Sequence, residues 1–150
     1  MDVDGTLTDG KIYIGPSGEA MKAFNIKDGY GLHDLLLPSG IIPVIITGRN
    51  SDIVSFRCKE LGITNIYQGV SNKIEKLKNI IDDLSAVAYI GDDLNDLPCI
   101  KEIVKEDGIV ACPSDAHDTI KQYANYICDK KGGDGCVREF IEWLLNEQQN

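Results

Sequence analysis

The sequence predicts a three-layer α/β protein in which a mostly parallel central sheet carries helices on both faces. Three observations predict it. Short apolar runs recur along the 150 residues, segments with helical apolar spacing alternate with them, and acidic residues gather where two of the runs end. A strand that reaches a parallel neighbour through a helical crossover produces this alternation, and a sheet covered on both faces favours strands that are apolar throughout.

The run Asp2-Val3-Asp4-Gly5-Thr6-Leu7-Thr8 comes first. It is expected at the carboxyl end of a buried strand, where ligands bind in open α/β sheets. Only Met1 precedes it, so the sequence predicts an apolar strand upstream in the natural protein, without which the neighbouring strands would leave backbone groups unpaired. Lys11-Ile12-Tyr13-Ile14 and Glu19 to Phe24 flank Gly15-Pro16-Ser17-Gly18 and read as a β-hairpin. Asp28 is placed to cap a helix carrying Leu32, Leu35 and Leu36, which Pro38-Ser39-Gly40 stops before the apolar strand Ile41 to Ile46. Ser51 caps a helix through Leu61, Gly62 ends it, and Ile63 to Tyr67 form a strand. Ser71 or Asn72 opens a helix with Ile74, Leu77, Ile80, Ile81 and Leu84 on one face. A strand at Val87 to Ile90, a helix from about Leu94 to Lys105 and a strand at Ile109 to Ala111 follow. A helix through Ile120, a strand near Tyr126 to Cys128 and a helix from Val137 to Leu145 complete the chain. No repeat or linker interrupts the order, which predicts one domain over 1–150.

Composition narrows the function. A formal charge of -9 and a pI near 4.6 disfavour nucleic-acid and anionic-membrane surfaces, which reward clustered Lys and Arg, so an anionic ligand must be held by a few local cations. Cys58, Cys99, Cys112, Cys128 and Cys136 form an odd set without a C-x-x-C pair and read as buried reduced thiols. No apolar run approaches the roughly 20 residues of a membrane span, and no leader opens the chain, which predicts a soluble cytoplasmic protein. His33 and His117 have no partner pattern and read as structural.

The acidic residues carry the chemistry. Asp2 and Asp4 end one expected strand, and Asp92, Asp93 and Asp96 end another. Two like charges at about 4 Å repel by about 4 kcal/mol at an effective dielectric near 20, so a converging carboxylate group calls for a hard, oxygen-preferring cation such as Mg2+. Each cluster alone reads equally well as turn residues. Thr47-Gly48-Arg49 ends a buried strand, where a hydroxyl and backbone N–H groups suit phosphate. Lys73 opens a helix, where the macrodipole disfavours a cation, so its charge needs a reason.

In this order Asp-x-Asp-Gly-Thr, Thr-Gly-Arg, Lys and Gly-Asp-Asp-x-x-Asp resemble the four motifs of the haloacid dehalogenase superfamily of phosphatases, with its Rossmann-like fold. The resemblance implies that Asp2 attacks phosphorus, that Asp4 protonates the leaving oxygen and then activates water, and that Thr47 and Lys73 bind the phosphoryl group. It further implies Mg2+ held by Asp2, Asp92 and the Asp4 carbonyl, with Asp93 and Asp96 in support. Only a hairpin and one helix lie between Thr8 and Thr47, so no cap domain is expected.

Most of the chain is similar to the small capless subgroup that contains 3-deoxy-manno-octulosonate 8-phosphate phosphatase. This likeness is carried by Asp9-Gly10, Lys22 to Gly31, Thr47-Gly48-Arg49, Arg57-Cys58, Tyr67-Gln68-Gly69, Gly91 to Asp96 and Gly132 to Glu139. It implies a phosphorylated sugar-acid substrate of lipopolysaccharide biosynthesis. It also implies a homotetramer whose active sites are completed by neighbours, with Gly48, Arg49, Lys27 and Arg138 at the substrate, Arg138 acting from the adjoining subunit. Arginine suits a carboxylate because its planar fork donates two parallel hydrogen bonds. Asp134 stands where the subgroup commonly has arginine, which leaves a nine-carbon ulosonate 9-phosphate or another sugar phosphate as alternatives. A phospho-accepting receiver domain is the rival of another class. A receiver's acidic pair precedes its threonine and lysine, however, and here Asp92-Asp93 follows both. A non-catalytic assembly subunit is the third reading.

Overall fold

The computed structural model describes residues 1–148. Its elements are a hairpin of β1 (Tyr13–Gly15) and β2 (Gly18–Met21), helix α1 (Ile26–Tyr30) running into a π-helical stretch at Gly31–Leu36, and strand β3 (Val44–Ile46). Helix α2 (Asp52–Glu60), β4 (Asn65–Tyr67), α3 (Lys73–Ile80), β5 (Ala88–Ile90) and α4 (Leu97–Lys105) follow. The last elements are β6 (Ile109–Cys112), α5 (Asp118–Lys121), β7 (Tyr126–Ile127) and α6 (Cys136–Glu147). The chain therefore folds as the expected α/β alternation.

β3 and β4 pair in parallel, as do β5, β6 and β7, while β1 and β2 pair antiparallel. Met1 and Asp2 join the two parallel groups. Met1 N donates to Val44 O at 2.8 Å, Ile46 N donates to Met1 O at 3.0 Å, and Asp2 N donates to Ile90 O at 3.1 Å. The strand positions thus run β4, β3, Met1-Asp2, β5, β6, β7, and Asp2 lies at the carboxyl edge between β3 and β5. The two residues satisfy backbone groups of both neighbours there.

Alternation along each strand divides the interior into two cores. Ile45, Ile90 and Ala111 face a cluster with Leu32, Val54, Val137, Phe140 and Ile141, which places α2, α6 and the π-helical stretch on one face. Ile46, Tyr89, Val110 and Cys112 face Leu77, Ile100, Ile103 and Ile120, which places α3, α4 and α5 on the other. Each fully buried side chain of this size contributes about 1.5–3 kcal/mol relative to exposure, so two-sided burial holds the strand ends in place.

Several boundaries differ from expectation for local reasons. Asp28 does not cap its helix. Asn25 does, accepting from Lys27 N at 2.9 Å, while Asp28 is buried and accepts from Arg138 N at 2.8 Å in the first turn of α6. Ser51 is the N-cap residue of α2, but its hydroxyl donates to Glu19 instead of capping. α3 ends before Leu84, which sits in a separate 3-10 turn where Asp83 accepts from Ser85 N at 3.0 Å, a local bond that competes with helix. Ile41, Ile42 and Pro43 lie outside β3; proline cannot donate to a ladder, and Ile42 faces solvent. α4 begins at Leu97 because the Asp96 carboxylate is drawn into the site below.

Candidate active site

The site forms where Met1-Asp2, β3 and β5 end together. Burial puts Asp2 at 3% exposure and Lys73 at 4%, and Lys73 Nζ lies 2.8 Å from Asp2 Oδ1 and 2.8 Å from Asp96 Oδ1. The charge that the α3 dipole disfavours is held by these two carboxylates. Burial alone would lower the Lys73 ammonium, but Asp96 and Asp2 outweigh it and raise the value above that of an ordinary lysine.

Asp96 is fully enclosed and fully used. Its Oδ1 accepts from Lys73 and, at 2.7 Å, from the Tyr89 hydroxyl, and its Oδ2 accepts from Asp92 N at 3.1 Å. Asp92 precedes it by four residues on the same loop and accepts from Thr6 Oγ1 at 3.4 Å. Burial, with the negative charges of Asp2, Asp96 and Asp93, pushes its carboxyl up to about 7. Asp2 is likewise raised by burial and by Asp96, with Lys73 opposing. Asp93 is exposed, and its side chain accepts from Leu94 N at 2.7 Å, so it supports the turn and adds charge without joining the cluster.

One oxygen each from Asp2, Asp92 and Asp96 lies within 4.8 Å of the others. Lys73 pairs with two of these three carboxylates, and Asp92 is raised first by its burial and then by the negative charges beside it. A divalent cation fits this donor set, with Asp2 and Asp92 as available ligands and Asp96 committed to Lys73, Tyr89 and the loop.

Around this centre the loops are locked together. Thr47 is buried at the end of β3, its N–H donating to Tyr67 O at 2.9 Å and its carbonyl accepting from Val70 N at 3.0 Å. Gly5 has φ 91°, and a Cβ there would overlap the Asp92 carboxylate, so glycine is required by both backbone and space. Gly132 and Gly133 pack on the backbone of Gly5 and Thr8, and Gly133 N donates to Thr6 O at 3.0 Å. The close approach that the glycine-rich stretch permits is thus made to the Asp2–Thr8 loop.

The Asp4 carboxylate turns toward the hairpin and pairs with Lys22, whose ammonium is 3.0 Å from Glu19. Burial would lower Lys22, but hydrogen bonds to Asp4 and Glu19 raise it instead. Arg49 Nη2 reaches the same Glu19 at 3.5 Å, beside Gly48 on the exposed rim. Lys27 and Arg138 lie apart: among the described residues no hydrogen bond or ion pair links their side chains to Asp2, Asp4, Thr47, Lys73 or Asp92. Arg138 Nε bonds Glu142 Oε1 at 2.6 Å and its guanidinium stands 5.0 Å from the Tyr30 ring centre. His117 caps α5, accepting from Thr119 N at 3.1 Å, and all five cysteines are buried and free. Sequence reasoning gave no role to Lys22, Glu19, Thr6 and Tyr89. Thr6 and Lys22 stand within the motifs of the family likeness without a role of their own, and Tyr89 carried a signal because a hydroxyl in a buried strand needs a partner.

Residues 46–140 match the haloacid dehalogenase-like hydrolase family. The chain belongs to this family. The hydrolase is 43% identical over 152 residues to the 3-deoxy-D-manno-octulosonate 8-phosphate phosphatase KdsC of Escherichia coli K12, an alignment covering 99% of this chain and 78% of that protein. The Yersinia pestis phosphatase of the same name is 42% identical over 151 residues, covering 98% and 78%. Among solved structures, the Moraxella catarrhalis 3-deoxy-D-manno-octulosonate 8-phosphate phosphatase, in complex with magnesium ion, phosphate ion and a KDO molecule, superposes with a TM-score of 0.88 at 42% identity, covering 99% of this chain and 85% of that one. The cobalt-bound Haemophilus influenzae phosphatase gives 0.88 at 32%, covering 99% and 86%. The hydrolase is therefore a phosphatase of this fold, and the receiver-domain and non-catalytic readings are set aside. No helix among the described residues is long and apolar enough to cross a membrane.

Proposed function

We propose that the chain hydrolyses a 3-deoxy-ulosonate phosphate, KDO 8-phosphate, through a phosphoryl group carried on Asp2. The carrying observation is Lys73 bridging Asp2 and Asp96 beside Asp92, in a chain 43% identical to KDO 8-phosphate phosphatases. An Asp2 carboxylate oxygen attacks phosphorus, the bond to the sugar oxygen breaks, and that oxygen takes a proton from Asp4. Water then attacks phosphorus, giving its proton to Asp4, and the Asp2–phosphorus bond breaks to release inorganic phosphate. Lys73, the Thr47 hydroxyl and the Gly48 N–H hold the phosphoryl oxygens. Asp2, Asp92 and the Asp4 carbonyl would hold Mg2+, which when bound offsets the negative charge shared by carboxylates and phosphate. Arg49, with Lys27, receives the sugar acid, and Arg138 acts from a neighbouring copy in a cytoplasmic homotetramer. In this structure Arg138 is tied to Glu142 and Tyr30 of its own chain, so that role requires it to exchange partners.

The test is phosphate release from KDO 8-phosphate, a nine-carbon ulosonate 9-phosphate and simple sugar phosphates, with Mg2+ and with chelator. Preference for the eight-carbon substrate supports the reading, whereas equal or better turnover of another phosphate reassigns the substrate. Asp2→Asn should lower turnover by at least about 10³-fold, since the nucleophile is lost. Full turnover by that variant would refute the assignment.

A further inference from the structure

Lys22 opens the stretch to Gly31 that carries part of the family likeness, which assigns it no role, yet its ammonium is enclosed at the mouth of the site. Its side chain is 2% exposed, and Nζ donates to the Asp4 carboxylate and, at 3.0 Å, to Glu19 Oε1. Removing an ammonium from water is costly unless carboxylates surround it, so both pairs define where it sits. Glu19 is fixed in turn. Its Oε2 accepts from Ser51 Oγ at the start of α2, and Arg49 Nη2 reaches its Oε1 at 3.5 Å. A chain of charged contacts therefore runs from Asp4 through Lys22 and Glu19 to Ser51 and Arg49, joining the loop after Asp2 to the loop after β3 by way of the hairpin.

We propose that Lys22 is a positioning residue that aims the Asp4 carboxylate, so that the seat of the hairpin sets the direction of proton transfer. This rests on the acid/base role proposed for Asp4. Asp4 precedes Gly5, whose φ of 91° turns the backbone away from a regular strand, and among the described residues Lys22 is the hydrogen-bond partner of its carboxylate. Asp2, by contrast, is gripped by Lys73 at 2.8 Å. The nucleophile is held from α3 and the acid/base from the hairpin side.

The test uses the full chain, saturating Mg2+ and a series of substituted phenyl phosphates, whose leaving groups differ in their need for a proton. Because kcat/KM reports only steps up to leaving-group departure, it isolates Asp4 as acid from Asp4 as base. These substrates lack a sugar carboxylate, so a substrate-binding role for Lys22 would not change the trend. K22M should lose at least about 10-fold more kcat/KM on phenyl phosphate than on p-nitrophenyl phosphate, given that a positioned general acid supplies about 10²–10⁴-fold. K22R should restore the trend, because it keeps both ion pairs. D4N sets the scale. If D4N steepens the dependence on leaving group and K22M does not, Lys22 does not aim Asp4. If D4N leaves the dependence unchanged, it is the acid role of Asp4 that fails, and the positioning role with it. Thermal melts establish that K22M is folded, and K22Q serves in its place if it is not.

Discussion

At the residue scale, burial beside Asp2 and Asp96 governs the protonation of Asp92. The Asp92 carboxyl, ordinarily near 4, sits at about 7 in the folded chain, so the native state holds this proton more tightly than the unfolded one. Stability from this group is therefore lost as pH rises from about 4 through 7, and a bound divalent cation restores it. Mg2+ should raise the melting temperature more at pH 8 than at pH 6, measured against chelator at each pH. Equal shifts would show that no Asp92 proton competes with the cation between pH 6 and pH 8. Gly5 makes a second prediction, because a methyl group there meets the Asp92 carboxylate and an unfavourable φ together. Gly5→Ala should cost about 1–2 kcal/mol from the left-handed backbone alone and weaken the Mg2+ response, with denaturant and metal titrations as the readouts. Asp2, Thr47, Lys73 and Asp92 stood out in sequence as candidates because their motifs are rare in that order, and folding brings Asp2, Lys73 and Asp92 together. Lys22 and Glu19 did not stand out. Lys22 meets Asp4 across 18 positions of chain, and no periodicity encodes a contact made by folding a hairpin back on a loop.

At the scale of elements, apolar spacing located every strand and main helix, because side-chain period follows backbone geometry closely. Ends were less legible, since short polar side chains choose among competing partners. Asp28 shows this choice. Drawn to the N–H groups that open α6, it links α1 to α6, while Asn25 takes over its capping task. Gly31 allows the contact, as a Cβ there would press within 3.0 Å of Arg138 Cδ. Burial raises the Asp28 carboxyl to about 6 despite bonds from Arg138, Gly135 and Val137. With the folded value above the unfolded one, Asp28 costs stability as pH climbs from about 4 to 6, by at most about 3 kcal/mol. Asp28→Asn cannot ionise. Wild type should therefore lose stability relative to this variant between pH 4.5 and pH 8 in denaturant melts, and a constant difference would show that the carboxyl does not titrate in that range.

Across the whole molecule the sheet is what brings distant residues together. Met1-Asp2, β3 and β5 are adjacent in space, so residues 2 and 92 meet and residue 47 ends the adjoining strand, although the chain between them builds helices on opposite faces. That convergence follows from strand order and could be inferred once the alternation was read. The docking of Gly132 and Gly133 on the Gly5–Thr8 backbone could not, because close backbone packing leaves no residue pattern beyond the glycines themselves. It has a kinetic consequence. The Cys136 thiol bonds Thr6 O across 130 positions of sequence, so the Asp2–Thr8 loop takes supports from residues far along the chain. Contacts of such separation form slowly and late, since the intervening loop must close before they contribute. During synthesis the Asp2–Thr8 loop emerges before the segment that clamps it, and a nascent chain stopped short of Gly132 carries Asp2, Thr47, Lys73 and Asp92 without the lock that holds the loop.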